Sequence, residues 1–303
     1  MTAQNQPHDF LYPLTHLAII EVNGQDASQF LQGQLTCNIN ELSLQTSSIA
    51  AFCNAKGRVI STLLVIKTHT GFFLILPADL VDIVLKKLRI YILRAKVRLD
   101  KPDKLSLIGL MTAGAIGDTS LLREDFECSQ TAGLLIVKMP FSTGGFLCIA
   151  PATDTTALEK LPVGELAEWR FWEISSGFPW FAAAKSEQYI PQMLNIDQLG
   201  GISFNKGCYT GQEVVARTHY LGKAKRHLYL AECDKILPPD SDYAIKDADS
   251  GDKCGEILCL ESSDGITRLL TVLQTVDDTT KNLILDDSKS TAIKLIPANS
   301  RKA

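Results

Sequence analysis

Lys206-Gly207-Cys208-Tyr209-Thr210-Gly211-Gln212-Glu213 is the stretch from which the rest of the chain reads most clearly. Its second half runs on as Gly211-Gln212-Glu213-Val214-Val215-Ala216-Arg217, which has the look of the first turns of a helix. Cys208 then lies just ahead of a helix N-terminus, where unpaired N–H groups favour a thiolate. Lys206 and Arg217 add cations to that neighbourhood. Gly207 and Gly211 let the backbone bend and approach a ligand closely. Two readings of Cys208 stay open on these local features: a reactive or ligand-contacting thiol, and a buried cysteine in a glycine-bracketed turn.

Upstream, Gln188–Gly207 is rich in loop residues, among them Pro191, Asn195, Asp197, Gly200, Gly201 and Asn205. It also carries Ile190, Met193, Leu194, Ile196, Leu199, Ile202 and Phe204, too many apolar groups for a solvated linker. A packed, ordered loop is the expectation. Before it, Leu166–Ser176 reads as a short helix bearing Trp169 and Trp172, stopped by Gly177-Phe178-Pro179. Downstream the style changes at Arg226. His227–Glu232, Glu256–Leu260, Arg268–Gln274, Asn282–Leu285 and Thr291–Ile296 are short strand candidates between polar turns. Together they suggest a small antiparallel barrel or sandwich.

The N-terminal half mixes hairpins and helices. His16–Val22 is strand-like, and Asp26-Ala27-Ser28-Gln29 resembles a capping box ahead of Phe30, Leu31 and Leu35. Ser48–Cys53 and Arg58–Thr68 are strand runs joined by Asn54-Ala55-Lys56-Gly57, with Gly57 available for a positive φ. Gly71–Leu76 follows as a strand. A helix then places Val81, Val84, Leu85, Leu88 and Ile92 on one face. Strand, helix and strand signals continue through Leu105–Pro151. The fold class is α+β, because the elements do not alternate strictly.

Bulk properties exclude several classes. The chain has 303 residues, is 46% hydrophobic and 21% charged, and carries a formal net charge of −4. Length suggests two or three domains. The mild acidity gives no overall basic field for nucleic acid and leaves only local patches. Mean hydropathy is +0.07. The longest apolar run, Val59–Ile66, is interrupted by Ser61 and Thr62, well short of the about 20 residues a membrane span needs. The N-terminus lacks an apolar signal core, so the expected location is the cytoplasm. Eight cysteines, at 37, 53, 128, 148, 208, 233, 254 and 259, form no metal-type pair or cluster. Most are expected to be small buried hydrophobes, with neither metal nor disulfide.

The octapeptide and its neighbours also carry a resemblance. Lys206–Glu213, preceded by Ile190-Pro191-Gln192 and Leu199-Gly200-Gly201-Ile202-Ser203-Phe204 and followed by Val215-Ala216-Arg217 and Lys225-Arg226, is similar to the signature region of the YgfZ-type folate-binding proteins. Gln32-Gly33-Gln34-Leu35-Thr36, Asn54-Ala55-Lys56-Gly57-Arg58 and Ser176-Gly177-Phe178-Pro179 resemble further segments of that family, in order.

The resemblance implies a glycine-cleavage T-protein-like folate-binding fold, with three domains in a ring and a small C-terminal antiparallel β-barrel. On this chain it implies a folate-binding region at 1–222, built as two α+β domains of which one is discontinuous, and a barrel domain at 223–303. It implies a tetrahydrofolate-binding accessory protein that supports assembly or repair of iron–sulfur clusters in enzymes, including those that modify tRNA. Its partners would be folate and iron–sulfur client enzymes. Stable nucleic-acid binding and membrane attachment are not expected, and the chain is expected to be a monomer. The family's functional cysteine falls on Cys208. Folate contacts are implied at Trp169, and further at His16, Lys206, Tyr209, Gln212 and Arg217.

Five residues depart from the pattern. His16 stands where the family has a second folate-contacting tryptophan, and imidazole offers less stacking area. Ser175 stands where T-like proteins have an acidic residue, and Glu173 points to a different side of the helix. Asn38 replaces an aspartate. Ser61 and Thr62 occupy the stretch where T proteins place acidic residues, including a catalytic aspartate. Neither hydroxyl supplies a carboxylate's charge, so the chain is not expected to be a classical enzyme. A folate-dependent aminomethyltransferase, rescued by a nearby acid such as Asp26, is the alternative; a direct RNA-binding module using His219, Lys223, Lys225, Arg226 and His227 is a further one. Arg94, Lys96 and Arg98 either line a channel or face water.

Overall fold

The computed structural model describes residues 9–112, 119–120, 122–131, 133–141, 144–152, 161–222, 224–274 and 282–296. The first part of the chain runs through β1 (Phe10–Pro13), β2 (Leu17–Asn23), α1 (Ala27–Gln32), β3 (Ser47–Cys53), β4 (Val59–Lys67), β5 (Gly71–Pro77), α2 (Val81–Tyr91) and β6 (Arg98–Asp100). Then come β7 (Leu105–Met111), β8 (Cys128–Thr131), β9 (Leu134–Lys138), β10 (Gly145–Pro151), α3 (Leu166–Ser175) and α4 (Gln212–Leu221). The last part is all strand: β11 (Arg226–Cys233), β12 (Ala244–Asp247), β13 (Lys253–Ser263), β14 (Ile266–Gln274), β15 (Leu283–Leu285) and β16 (Ala292–Ile296).

Two five-stranded antiparallel sheets and one closed barrel result. The first sheet has the order β3-β4-β5-β2-β6, and the second β1-β7-β10-β9-β8. Strand β1 precedes the first sheet in sequence yet pairs with β7, Tyr12 opposite Gly109, so the second sheet is assembled from separated segments. The first sheet is buried on both faces. Alternate residues of β4 part company there: Leu63 and Val65 join the core under α1 and α2, while Leu64 and Ile66 pack against the second sheet. The near-continuous apolar run Val59–Ile66 is therefore a doubly covered strand. No described helix is long and apolar enough to cross a membrane.

The barrel closes in the order β11-β14-β13-β12-β15-β16. It includes β12, which the sequence reading passed over. That strand inserts a single fully buried residue, Ile245, between the small Ala244 and the charged Lys246, so it carries almost no apolar signal. Among the described residues of 105–151 there is no α-helix, where one was expected between strands. The capping box is also corrected. The Asp26 side chain makes no cap hydrogen bond to α1; its carboxylate accepts the backbone N–H of Lys96 at 2.7 Å, tying the helix entry to the strand edge beside it. The loop before α4 is packed as expected, with Ile190, Leu194, Ile196, Leu199 and Ile202 buried.

Candidate functional site

The signature segments, scattered through the sequence, converge on one packed node. Thr36 is its pivot: fully buried, its hydroxyl donates to the Gly201 carbonyl at 2.6 Å and accepts the Ala51 N–H at 2.8 Å, and its own carbonyl accepts Ser203 N–H at 2.9 Å. The Thr210 N–H donates to Gly33 O at 3.2 Å, and its hydroxyl to Gln34 Oε1 at the same distance. Gln192 donates to the Val215 carbonyl at 2.7 Å. The 54–57 turn then docks on the start of α4. Gly211 has φ +83°, and a Cβ there would lie 2.5 Å from the Asn54 carbonyl. Only glycine permits that approach. Gly207, by contrast, has open space around its Cβ position and needs no special conformation.

Lys206 anchors this node from inside. It is 9% exposed, and its ammonium donates to the carbonyls of Leu35 and Cys37, both at 2.7 Å. The same ammonium lies 5.1 Å from the Tyr209 ring centroid. Burial pushes the amine down to about 8, opposed by the neighbouring Cys37 thiol. The Lys206 amine, one of the implied folate contacts, is thus engaged within the chain. Tyr209 is likewise buried, and its phenol is pushed up by that burial. With both neighbours turned inward, Cys208 points outward. It is the one exposed cysteine of the eight; six are buried and Cys259 is half-buried. Of the two readings left open by its sequence, the buried cysteine is excluded. Gln212 is half-buried and Arg217 exposed on α4.

A separate cavity of about 550 Å³ opens where the end of the first sheet, α3 and the barrel meet. His16 and Asp79 line it from the first sheet, Glu173 and Trp180 from α3 and its exit, Asp242 and Leu258 from the barrel. Its organising group is Glu173, which is 3% exposed. Oε1 accepts the indole N–H of Trp169 at 2.9 Å and of Trp180 at 3.2 Å, while Oε2 meets His16 Nε2 at 2.9 Å. An indole nitrogen only donates, so this oxygen must accept twice. Nε2 of His16 donates to the carboxylate, and Nδ1 is a buried polar atom with no partner. Ion pairs stiffen the rim: Lys185 with Asp242 at 2.6 Å, and Arg170 with Glu261 at 3.3 Å.

Trp169 does not line this cavity. It is fully buried against Phe141 and Tyr12, over Gly109, where a Cβ would lie 2.4 Å from its ring. A flat ligand has no face of Trp169 to stack on, and the tryptophan acts on the cavity only through Glu173. His16 does line it. None of Lys206, Cys208, Tyr209, Gln212 and Arg217 does.

Glu173 does point to a different side from Ser175, as helical spacing requires, but that side is the cavity. Ser175 instead bonds the Phe171 carbonyl and Arg268 of the barrel. On this helix it is Glu173, and not position 175, that brings a carboxylate to the cavity. Asn38 lies away from it too, accepting from Gln32 at 2.9 Å and donating to Glu41 at 2.6 Å; an aspartate there would face a like charge. Ser61 and Thr62 are fully buried, their hydroxyls donating to the carbonyls of Thr62 and Pro179. Arg94, Lys96 and Arg98 are exposed and face water, and Lys223 lies outside the described residues. Sequence reasoning passed over Trp180 and the role of Glu173. The density of aromatics in Phe178-Pro179-Trp180-Phe181, just after Glu173 on a tryptophan-bearing helix, was the available signal.

No family model matches the chain. Curated relatives do. It is 34% identical over 271 residues to the tRNA-modifying protein YgfZ of Colwellia psychrerythraea, covering 85% of this chain and 83% of that one. It is 33% identical over 260 residues to the protein of the same name from Sodalis glossinidius, covering 82% and 79%, and 36% identical over 233 residues to that of Yersinia pestis, covering 72% and 69%. Among solved structures, the glycine cleavage system aminomethyltransferase T of Bartonella henselae superposes with a TM-score of 0.78 over 96% of this chain and 85% of the other. At 16% identity that likeness establishes the shared fold.

Proposed function

This chain belongs to the YgfZ family of tRNA-modifying proteins, and from that premise we propose that it binds a reduced folate in the cavity organised by Glu173 and supports iron–sulfur enzymes through the exposed thiol of Cys208. The observation that carries the reading is the packed node itself. Four separated segments, at 33–37, 51–57, 192 and 201–203, and a buried lysine hold one short loop so that a single cysteine faces solvent. A buried ammonium is a costly way to fix a turn, and it makes sense where the position of the thiol matters.

The cavity suits a pterin. Its volume lies within the range of small-molecule sites, its walls include aromatic and aliphatic side chains, and the polar groups His16, Asp79, Arg170, Glu173 and Lys185 are held by hydrogen bonds or ion pairs. Trp180 offers the aromatic wall once assigned to Trp169, and His16 keeps a partnerless buried nitrogen beside it. A reduced folate supplies one-carbon chemistry when bound; the chain's residues bind it, orient it and exclude water. Iron–sulfur clusters enter as cargo, for which a thiolate is a soft ligand. Against an aminomethyltransferase stand Ser61 and Thr62, whose hydroxyls are fully engaged with backbone carbonyls, and Asp26, whose carboxylate is held by Lys96 outside the cavity.

The test is made in cells depleted of this protein, reading the level of a tRNA modification made by an iron–sulfur enzyme. Wild type restores it and Cys208→Ala does not, although the variant melts like wild type because the side chain is exposed. Full restoration by Cys208→Ala removes the thiol from the account.

A further inference from the structure

Exposed cations gather beside the Cys208 loop. Lys56, Arg217 and Lys225 are exposed, and none takes part in an ion pair among the described residues. Lys56 and Arg217 share one surface. The Gly57 turn that carries Lys56 abuts Val214, and Arg217 and Leu221 follow Val214 on the same side of α4 at helical spacing. Lys225 comes just after the helix ends.

The same helix exposes aromatic surface. Tyr220 is 63% exposed and Leu221 83%. His219 stacks on Phe204 at 3.7 Å and 14°, and meets Tyr220 edge-on at 4.8 Å and 79°. Phe204 is also a wall of a groove of about 480 Å³, whose lining includes the uncharged polar groups Asn38, Ser48, Ser203 and Asn205. The acids nearby are Glu187, bonded by Asn54 of the turn, paired with Lys87 and facing Lys56, Glu213 on α4, Glu41 in the groove, and Asp197, which faces His219 and His227.

We infer that this surface, comprising the exposed side of α4, the 54–58 turn and the Phe204 groove, binds single-stranded RNA. Exposed cations meet phosphates, Tyr220 stacks on a base, and the Asn205 amide and Ser203 hydroxyl of the groove meet base edges and ribose. An acidic protein would satisfy the cations but has no use for an exposed ring beside a groove whose lining, apart from Glu41, is uncharged. The site is distinct from the folate cavity and does not depend on it, and a net charge of −4 confines the attraction to this patch.

The experiment is fluorescence anisotropy of a labelled 12-nucleotide single-stranded RNA with the full chain in 50 mM and 200 mM KCl. Three phosphate contacts give about 20-fold weaker binding at the higher salt. Tyr220→Ala weakens binding at least about 5-fold through lost stacking, and Arg217→Glu weakens it while flattening the salt dependence. Both side chains are exposed, so both variants melt like wild type. Absence of binding in 50 mM KCl overturns the inference. So does binding unchanged by both substitutions, which would place the RNA elsewhere. Competition by polyglutamate as effective as by unlabelled RNA, with Tyr220→Ala silent, also overturns it and assigns the surface to an acidic protein.

Discussion

Replacing Glu173 by alanine removes the acceptor for two indole N–H groups at once. Trp169 is fully buried and Trp180 is 6% exposed, so neither finds bulk water as a substitute. A buried donor left without a partner costs about 1–3 kcal/mol, which gives about 2–6 kcal/mol for the pair. Water entering the cavity can reach the Trp180 side, so the lower part of that range, about 2–4 kcal/mol, is the expected loss. With roughly 2.1 cal/mol/K per residue of unfolding entropy, this lowers the melting midpoint by about 3–6 °C. Glu173→Gln is the control. Its carbonyl still accepts both indoles, and its amide donates to His16 Nε2 once the imidazole proton moves to Nδ1, which is without a partner. The loss there is about 1 kcal/mol. Near-ultraviolet circular dichroism during heating follows both tryptophans, and urea unfolding gives the free energy. Equal effects of alanine and glutamine, or an alanine effect below about 0.5 kcal/mol, would refute the idea that the carboxylate holds the cavity wall together.

Other outcomes follow from the node around Cys208. Burial depresses the folded-state amine of Lys206 to about 8, below its unfolded value. Between pH 8 and the unfolded value the unfolded chain binds more protons, so the contribution of Lys206 to stability rises with pH there and is lost as pH falls through 8. Urea midpoints from pH 7 to 10 should show wild type gaining on Lys206→Met across that window; a flat or shrinking difference contradicts the burial of the amine. Gly211→Ala forces a left-handed residue against the Asn54 carbonyl and should cost at least about 2 kcal/mol by urea unfolding, whereas Gly207→Ala, with open space at its Cβ position, should cost well under about 1 kcal/mol.

The parts of the fold legible in sequence were those with strong local signals. Apolar periodicity marked α2, the Gly177-Phe178-Pro179 stop marked the end of α3, and mixed polar and apolar residues marked the packed loop before α4. Strand β12 was hidden because one buried residue makes no pattern. At the site, the position of Cys208 before a helix was readable, but its exposure was not, since exposure depends on where the flanking Lys206 and Tyr209 turn. Lys206 read as a cation for a ligand because its true partners, the carbonyls of Leu35 and Cys37, are backbone groups that leave no mark in a sequence. Trp169 and Trp180 illustrate the same limit. Both belong to one carboxylate, yet only the tertiary packing of Trp169 over Gly109 decides which of the two faces the cavity.

Calorimetric titration with tetrahydrofolate of wild type, Trp180→Ala and Cys208→Ala tests the central claim most directly. The account predicts saturable binding to wild type, binding weakened at least about 10-fold in Trp180→Ala, and unchanged affinity in Cys208→Ala, because the thiol lies outside the cavity. No binding by wild type, or binding that Trp180→Ala leaves intact, would contradict the assignment of the cavity to folate.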